Sequence, residues 1–150
     1  MKTVVALSAL VFALSAATVV VAQEDLIKAR QELMKSNGKA MGIIGPMAKG
    51  EMEFDAAAVK EALKQIRQNA HDFDVETLFP EGSHEGETRA DPKIWEEFDE
   101  FKEYAERWKT VSAEAAEADI ASVEDLQPVT GNLGKTCGTC HEEFRQPEDK

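Results

Sequence analysis

The sequence is poor in the residues from which zinc sites and disulfide frameworks are built. Its 150 residues include two cysteines and three histidines. A structural zinc site needs four nitrogen or sulfur ligands, and His71 and His84 lie far from both cysteines in the sequence. A disulfide between Cys137 and Cys140 would close a very small loop, with poor geometry if both residues are helical. Both explanations of the cysteine pair are therefore disfavoured.

The sequence also lacks a sustained run of alternating β-branched residues, so no strand is predicted. A thioredoxin-like redox pair would need a βαβ setting, which this pattern does not provide. No general base, nucleophile or substrate pocket is indicated either. We therefore expect a protein that is not an enzyme.

Basic residues are scarce relative to acidic ones: 17 Lys and Arg against 29 Asp and Glu, a net charge of −12. Such acidity argues against nucleic acid or an anionic membrane as partner. It favours attraction to a partner with a basic docking surface, weakened by salt. The alternative is that the charges simply coat solvated helix faces.

The first 22 residues resemble a secretory signal peptide. One lysine precedes an apolar run that ends in small residues at Ala22. The alternative is an uncleaved membrane anchor, because the run approaches spanning length. We expect cleavage after Ala22, which leaves one domain over residues 23–150 with a net charge of −13, located in the periplasm and not bound to a membrane.

Five consecutive residues carry the strongest chemical signal: Cys137-Gly138-Thr139-Cys140-His141. C-x-x-C-H is the attachment sequence of c-type haem. The thiols of Cys137 and Cys140 would form thioether links to the porphyrin, and His141 would be an axial ligand of its iron. On a helix all three side chains share one face. The cofactor prediction is one covalently bound haem c with its iron, and export agrees with it.

Four stretches have apolar residues at helical spacing, which predicts an all-α, antiparallel four-helix bundle holding the haem. The predicted helices span about residues 24–44, 55–72, 91–115 and 122–146. A long, Gly-rich and acidic loop over residues 74–90 either covers a cofactor edge or is disordered.

Capping and breaking residues predict where the helices begin and end. Predicted starts are Asp55, Asp91 followed by Pro92, and a Ser122–Asp125 capping box. Gly42, Gly45 and Pro46 predict the end of the first helix. Pro128 should bend the fourth helix or confine its regular part to the later residues.

Two polar residues, Arg30 and Asn37, interrupt the apolar stripe of the first helix. A guanidinium on a core-facing stripe needs an anion or a route to water. Arg30 would therefore clamp a haem propionate or extend to solvent. His71, near the end of the second helix, is expected to be a surface residue and not a ligand.

The mature chain resembles the class II c-type cytochromes, which comprise cytochrome c′ and the low-spin c-556 type. The resemblance rests on CGTCHEEFR at residues 137–145, RQELMK at 30–35 and GETRADPKIW at 86–95. The LMKSNGKAMG stretch at 33–42 is closer to the c-556 type, whereas Arg30-Gln31 is closer to cytochrome c′.

The resemblance implies roles for particular residues. His141 would be the proximal axial ligand, and Met34 would lie over the distal face, either bound to iron or only covering it. The basic Arg145 would lie near the proximal side. The remaining implied haem contacts are Arg30, Gln31, Glu87 and Thr88. Family members often pair through their first two helices, so a homodimer is compatible with the resemblance.

Two functions follow from the two states of Met34. Ligation gives a six-coordinate, low-spin electron carrier with a raised reduction potential. An unbound Met34 gives a five-coordinate protein that binds NO or CO in an apolar pocket. We expect the electron carrier. A haem-free bundle acting as an interaction module is a third, less favoured reading.

Overall fold

A computed structural model describes residues 5–147, with side chains from residue 23 onward. Four of its helices are long, and they contact one another in a ring: α1 with α2, α2 with α5, α5 with α6, and α6 with α1. This arrangement confirms the predicted four-helix bundle, and the described residues form no β-strand. The helices are α1 (Val5–Ala48), α2 (Ala56–Asp72), α3 (Val75–Leu78), α4 (Lys93–Glu96), α5 (Phe98–Glu117) and α6 (Val123–Phe144).

The predicted leader falls largely outside what the structure describes. Residues 1–4 and the side chains of residues 5–22 lie outside the described part, and the backbone of α1 begins at Val5. The cleavage prediction for residues 1–22 therefore stays a prediction. Within the described residues, no helix combines the length and the apolar character needed to cross a membrane.

The first helix ends later than predicted. Gly45 and Pro46 do not stop it, and α1 continues to Ala48. The apolar stripe continues as well, because Met47 is buried with an exposed fraction of only 4%, so packing outweighs the local helix breakers. Gly50, two residues beyond the end of the helix, has a φ of 72°, which suits a residue without a Cβ.

The predicted start of the second helix is confirmed. The Asp55 carboxylate accepts hydrogen bonds from the backbone N–H groups of Ala57 (2.9 Å) and Ala58 (3.0 Å), which satisfies two donors that the helix leaves unpaired. The apolar face of α2 packs inward as its spacing predicts. Its buried members are Val59, Ala62, Leu63, Ile66 and Ala70.

The predicted third helix is two helices, α4 and α5, separated at Glu97. The carboxylate of Asp91 accepts the backbone N–H of Lys93 at 2.9 Å, so the predicted cap is present. Glu97 leaves the helical conformation (φ −121°, ψ 45°). The break does not displace the apolar stripe, because Ile94 before it and Phe101 after it are both buried.

The capping box that was predicted for the fourth helix is present. The Ser122 hydroxyl accepts the backbone N–H of Asp125 at 3.3 Å and donates to the Asp125 carboxylate at 2.8 Å. The helix is continuous through Pro128, so the proline does not confine it to the later residues. Leu126 and Leu133, on either side of the proline, are fully buried and hold this helix in the core.

The core has two parts, and the second of them positions the site. An aliphatic cluster fills the end of the bundle around Ile44, Ile66 and Leu126. An aromatic cluster fills the other end, where α2, α3, α5 and the end of α6 meet. Its rings pack edge to face, with centroids 4.9 Å apart for Phe79 and Phe101. The C-x-x-C-H residues lie beside this aromatic end.

Candidate functional site

A cavity of about 220 Å³ lies between α1 and α6 at the aromatic end of the bundle. Arg30, Gln31, Met34 and Asn37 line it from α1. These positions recur every three or four residues, so they form one face of the helix. A second wall comes from α6 and contains all three functional residues of the predicted attachment sequence. The remaining walls are mainly aromatic, including Phe73, Phe79, Phe101, Tyr104, Trp108 and Phe144.

The two cysteines face this cavity as half-buried free thiols. Burial raises the pKa of Cys137. Burial and the neighbouring Cys137 thiol raise the pKa of Cys140 to about 11. Both groups are therefore neutral thiols on an apolar wall at neutral pH. Because they are unpaired and open onto the same cavity, they suit a cofactor edge that binds both at once.

His141 follows the second cysteine on the same wall. Burial lowers the pKa of its imidazole, and the nearby positive charges of Arg145 and Arg89 lower it further. The ring is therefore neutral at neutral pH and keeps a nitrogen lone pair, which ligation of a metal requires. Arg145 itself lines the cavity, close to the histidine, where the family resemblance puts it.

Met34 lines the cavity from α1, half-buried, and packs against the aromatic cluster. The structure thus brings His141 and Met34, predicted as the two axial residues, to one cavity, from α6 and α1 respectively. The thioether is uncharged and polarisable, so it suits either direct ligation or cover of an open face.

Arg30 does not extend to solvent, so the solvent alternative is wrong. Its side chain is buried, with 5% exposed, and burial lowers its pKa. Nη2 donates to the carbonyl oxygen of Ser83 at 2.8 Å, while the guanidinium lies 4.5 Å from the ring centre of Phe79 and 5.8 Å from that of Trp95. This packing holds the charge inside the protein at the cavity wall.

The guanidinium of Arg30 still has donors to offer. Within the described residues, Nε and Nη1 are buried and have no hydrogen-bond partner. A buried cation with unused N–H groups is unfavourable unless an anion is bound nearby. A carboxylate such as a haem propionate would supply both the charge and the acceptor oxygens. The residues that line the cavity therefore fit a haem: two thiols, a neutral imidazole, apolar walls and one buried cation.

The loop predicted over residues 74–90 is wrong in its first part, which contains the short helix α3. The remainder borders one end of the cavity, and its covering of a cofactor edge stays a prediction. Gln31 Nε2 donates to the backbone oxygen of Glu87 at 2.9 Å, and Gln31 and Thr88 both line the cavity. The Glu87 side chain is exposed and is not part of the lining. Gly86 allows the approach to α1, since an added Cβ there would lie 2.9 Å from Ile27 Cδ1.

Arg89 is a cavity residue that the sequence analysis did not single out. Its guanidinium donates to the Gln146 backbone oxygen at 3.0 and 2.8 Å. The backbone is paired here too, because Gln146 N–H donates to Arg89 oxygen at 2.9 Å and Ala90 forms a bridge with Arg145. This contact joins the loop to the residues just after α6. The motif GETRADP contains Arg89, but only the folded chain brings it to Gln146.

The other two histidines take no part in the site. His71 is exposed, with 81% of its side chain accessible, next to Asp72, as predicted. His84 packs edge-on against Trp95 with ring centres 5.5 Å apart. Within the part of the chain that the structure describes, no three His, Cys, Asp or Glu side chains form a metal-binding group. The structural zinc alternative therefore has no support there.

Comparison with known proteins shows which family the chain resembles as a whole. A family model described as cytochrome c′ matches residues 25–145. A cytochrome c-556 of Rhodopseudomonas palustris is 40% identical over 117 residues, covering 75% of this chain and 76% of the relative.

Solved structures of a cytochrome c556 and of a cytochrome c′ are similar to this chain. The NMR-validated structural model of oxidised R. palustris cytochrome c556 has a TM-score of 0.71 and 36% identity, covering 84% of this chain and 99% of that one. A cytochrome c′ of the same organism has a TM-score of 0.75 and 31% identity, covering 83% and 98%. The chain is thus similar to both kinds of protein.

Proposed function

Because this chain belongs to the class II c-type cytochromes, we propose that it is an electron carrier whose iron is ligated by His141 and Met34. It is a mono-haem protein with covalently attached haem c. We propose Cys137 and Cys140 as the attachment points. The bound haem supplies a one-electron couple at its iron, and the residues of the chain decide how accessible and how oxidising that couple is.

One observation carries the proposal: His141, whose imidazole is neutral at neutral pH, and Met34 line the same cavity from two different helices. Two protein ligands leave the iron six-coordinate and low-spin in both oxidation states. Little rearrangement then accompanies electron transfer, which keeps the transfer fast. A thioether favours the reduced state, so Met34 raises the reduction potential.

Two features favour the c-556 type over cytochrome c′: the resemblance of residues 33–42, which contain Met34, and the sequence identity over the whole match. The chain shares 40% identity with a cytochrome c-556 and 30% with a cytochrome c′ of Cereibacter sphaeroides. The alternative is a five-coordinate protein that binds NO or CO on the face that Met34 covers. The match to the cytochrome c′ family model over residues 25–145 supports this second candidate.

The polar residues at the loop end of the cavity hold the acidic edge of the cofactor in this proposal. Arg30 offers Nε and Nη1 from a buried position, on different edges of the guanidinium, and either can donate to a carboxylate oxygen. Gln31 and Thr88 line the same wall and can add neutral hydrogen bonds. Glu87 takes part only through its backbone oxygen, which accepts a hydrogen bond from Gln31. Its carboxylate is exposed and is not expected to bind the cofactor.

The mature protein acts in the periplasm in this proposal, after removal of residues 1–22. Its negative charge attracts redox proteins through a basic surface, and this attraction weakens as the salt concentration rises. Pairing of two copies through α1 and α2 stays a prediction. Sedimentation of the purified protein at several concentrations tests the pairing independently of the ligation state.

The visible spectrum of the purified holoprotein tests the ligation directly. It is recorded oxidised, reduced, and reduced under CO. We expect a low-spin spectrum with a Met-to-iron charge-transfer band in the oxidised protein, unchanged by CO after reduction. A high-spin spectrum that shifts with CO would replace this proposal with the gas-binding one. A protein exported and purified without haem absorbance would contradict both.

A further inference from the structure

Asn37 has a buried side-chain amide that lines the cavity. The proposed electron transfer gives this amide no role. Its exposed fraction is 9%, and it lines the cavity one helical turn beyond Met34 on the same face of α1. Arg30 and Gln31 lie at the other end of that face, under the loop. Asn37 is therefore the polar residue of this wall that lies on the inner side of Met34.

A network of hydrogen bonds behind the wall fixes the orientation of this amide. Asn69, on α2 and also buried, donates from Nδ2 to Asn37 Oδ1 at 3.0 Å and to the Ser36 hydroxyl at 3.0 Å. Its own Oδ1 accepts from Gln65 Nε2 at 2.9 Å and from Ser36 at 3.2 Å. In this arrangement every donor and acceptor of Asn69 is used, and Asn37 accepts from it through its carbonyl oxygen.

This assignment leaves the Asn37 NH₂ group for the cavity. Its carbonyl oxygen accepts a hydrogen bond from Asn69. Its Nδ2 donates to none of the residues that the structure describes. The walls of the cavity are mainly apolar. An N–H donor in apolar surroundings interacts strongly with an acceptor that enters, because water does not compete for it.

We propose that Asn37 is a specificity-determining residue that donates a hydrogen bond, through Nδ2, to small polar ligands bound on the Met34 side of the iron. The ligand class is a small anion with an acceptor atom beyond its ligating atom, for which cyanide is the probe. Carbon monoxide accepts hydrogen bonds poorly, so Asn37 discriminates between the two. This proposal rests on the haem site above but not on whether Met34 is bound.

The test uses holoprotein in which the Met34 side is open. If wild-type protein is low-spin, the background is Met34→Ala; if wild-type protein already binds CO, the background is wild type, and the His141/Met34 proposal fails without affecting this test. In that background, Asn37→Leu removes the donor without adding charge. Dissociation constants are measured by visible titration, for cyanide with the oxidised protein and for CO with the reduced protein.

We expect Asn37→Leu to raise the cyanide Kd by about tenfold or more, the usual effect of losing a hydrogen bond to a charged group, and to change the CO Kd by less than about threefold. The matched control is Asn132→Leu, the same change at an exposed asparagine of α6, which should alter neither constant. Equal weakening of cyanide and CO would indicate a packing effect and overturn the proposal.

A second variant guards against misfolding and tests the amide orientation. Asn37→Asp keeps an acceptor for Asn69 but has no donor for the cavity and adds a negative charge near the anion, so cyanide affinity should fall further than in Asn37→Leu while CO affinity is kept. If cyanide binds more tightly to Asn37→Leu than to the parent, the carbonyl oxygen of Asn37 faces the cavity and the assignment is wrong. Far-UV circular dichroism and the haem content of each variant confirm that the compared proteins are folded and loaded.

Discussion

Arg30 and Ser83 are separated by 53 residues and joined by one buried hydrogen bond, from Nη2 of the arginine to the backbone oxygen of the serine at 2.8 Å. The bond ties the loop to α1 and holds the guanidinium at the cavity wall, where Nε and Nη1 have no partner among the described residues. The same hydrogen bond therefore fixes both the position of the loop over the cavity and the position of the positive charge at the cavity wall.

Replacing Arg30 by methionine should lower the reduction potential. A buried positive charge destabilises the oxidised iron, and its interaction with the iron centre at an effective dielectric constant of about 20 is on the order of 1–2 kcal/mol. For a one-electron couple this corresponds to roughly 40–90 mV. The measurement is a spectroscopic redox titration of the holoprotein.

The exposed Arg67, which pairs with Glu117 on the surface, supplies the matched control for this prediction. Arg67→Met should change the potential far less, because solvent screens its charge. Arg30→Lys should fall between wild type and Arg30→Met, since lysine keeps the charge but lacks the forked donors. An unchanged potential in Arg30→Met would exclude the buried charge as a determinant.

Met34→Ala should convert a low-spin protein into a high-spin one that binds CO when reduced. The change removes the only thioether on the cavity wall of the described residues, so the iron loses its sixth ligand while the bundle keeps its other contacts. Met52→Ala is the control, because Met52 is exposed (47%) and remote from the cavity lining. An identical spectrum for wild type and Met34→Ala would show that Met34 is not a ligand.

The sequence predicted the helices that have regular apolar stripes and strong caps. Asp55 and the Ser122–Asp125 box act at short range, so their hydrogen bonds could be predicted from neighbouring residues alone. The end of α1 could not, because burial of Met47 depends on helices elsewhere in the chain. The break at Glu97 has no Gly or Pro to mark it.

The site too was predictable only where its residues are close in sequence. Cys137, Cys140 and His141 lie within five residues, so their spacing predicted one shared wall. The polar partners of Arg30 and Asn37 lie 53 and 32 residues away, and no local pattern indicates Ser83 or Asn69 as those partners. Arg89 is joined to Gln146 across 57 residues for the same reason. Long-range hydrogen bonds of this kind require the folded structure.

Haem attachment and leader removal predict one mass for the exported protein: residues 23–150 plus a single covalently bound haem. Mass spectrometry under denaturing conditions measures this mass. Cys137→Ser should leave at most one thioether and sharply reduce the haem-bearing fraction, and the double change of Cys137 and Cys140 to Ser should abolish covalent attachment. A wild-type mass equal to the bare polypeptide would contradict the haem site, whereas retention of residues 1–22 would contradict only the leader.

Asp55→Ala should destabilise the folded protein by about 1 kcal/mol, the usual effect of losing an N-cap carboxylate. The change removes both hydrogen bonds to the first turn of α2, at Ala57 and Ala58, without touching the cavity. The urea midpoint of the holoprotein, followed by far-UV circular dichroism, should fall with an unchanged slope, and the visible spectrum should not change. Asp55→Ser should recover most of the loss, because serine also caps helices, and Glu53→Ala, at a nearby exposed position, should have little effect. Equal destabilisation by Asp55→Ala and Asp55→Ser would show that the cap is not what holds this end of α2.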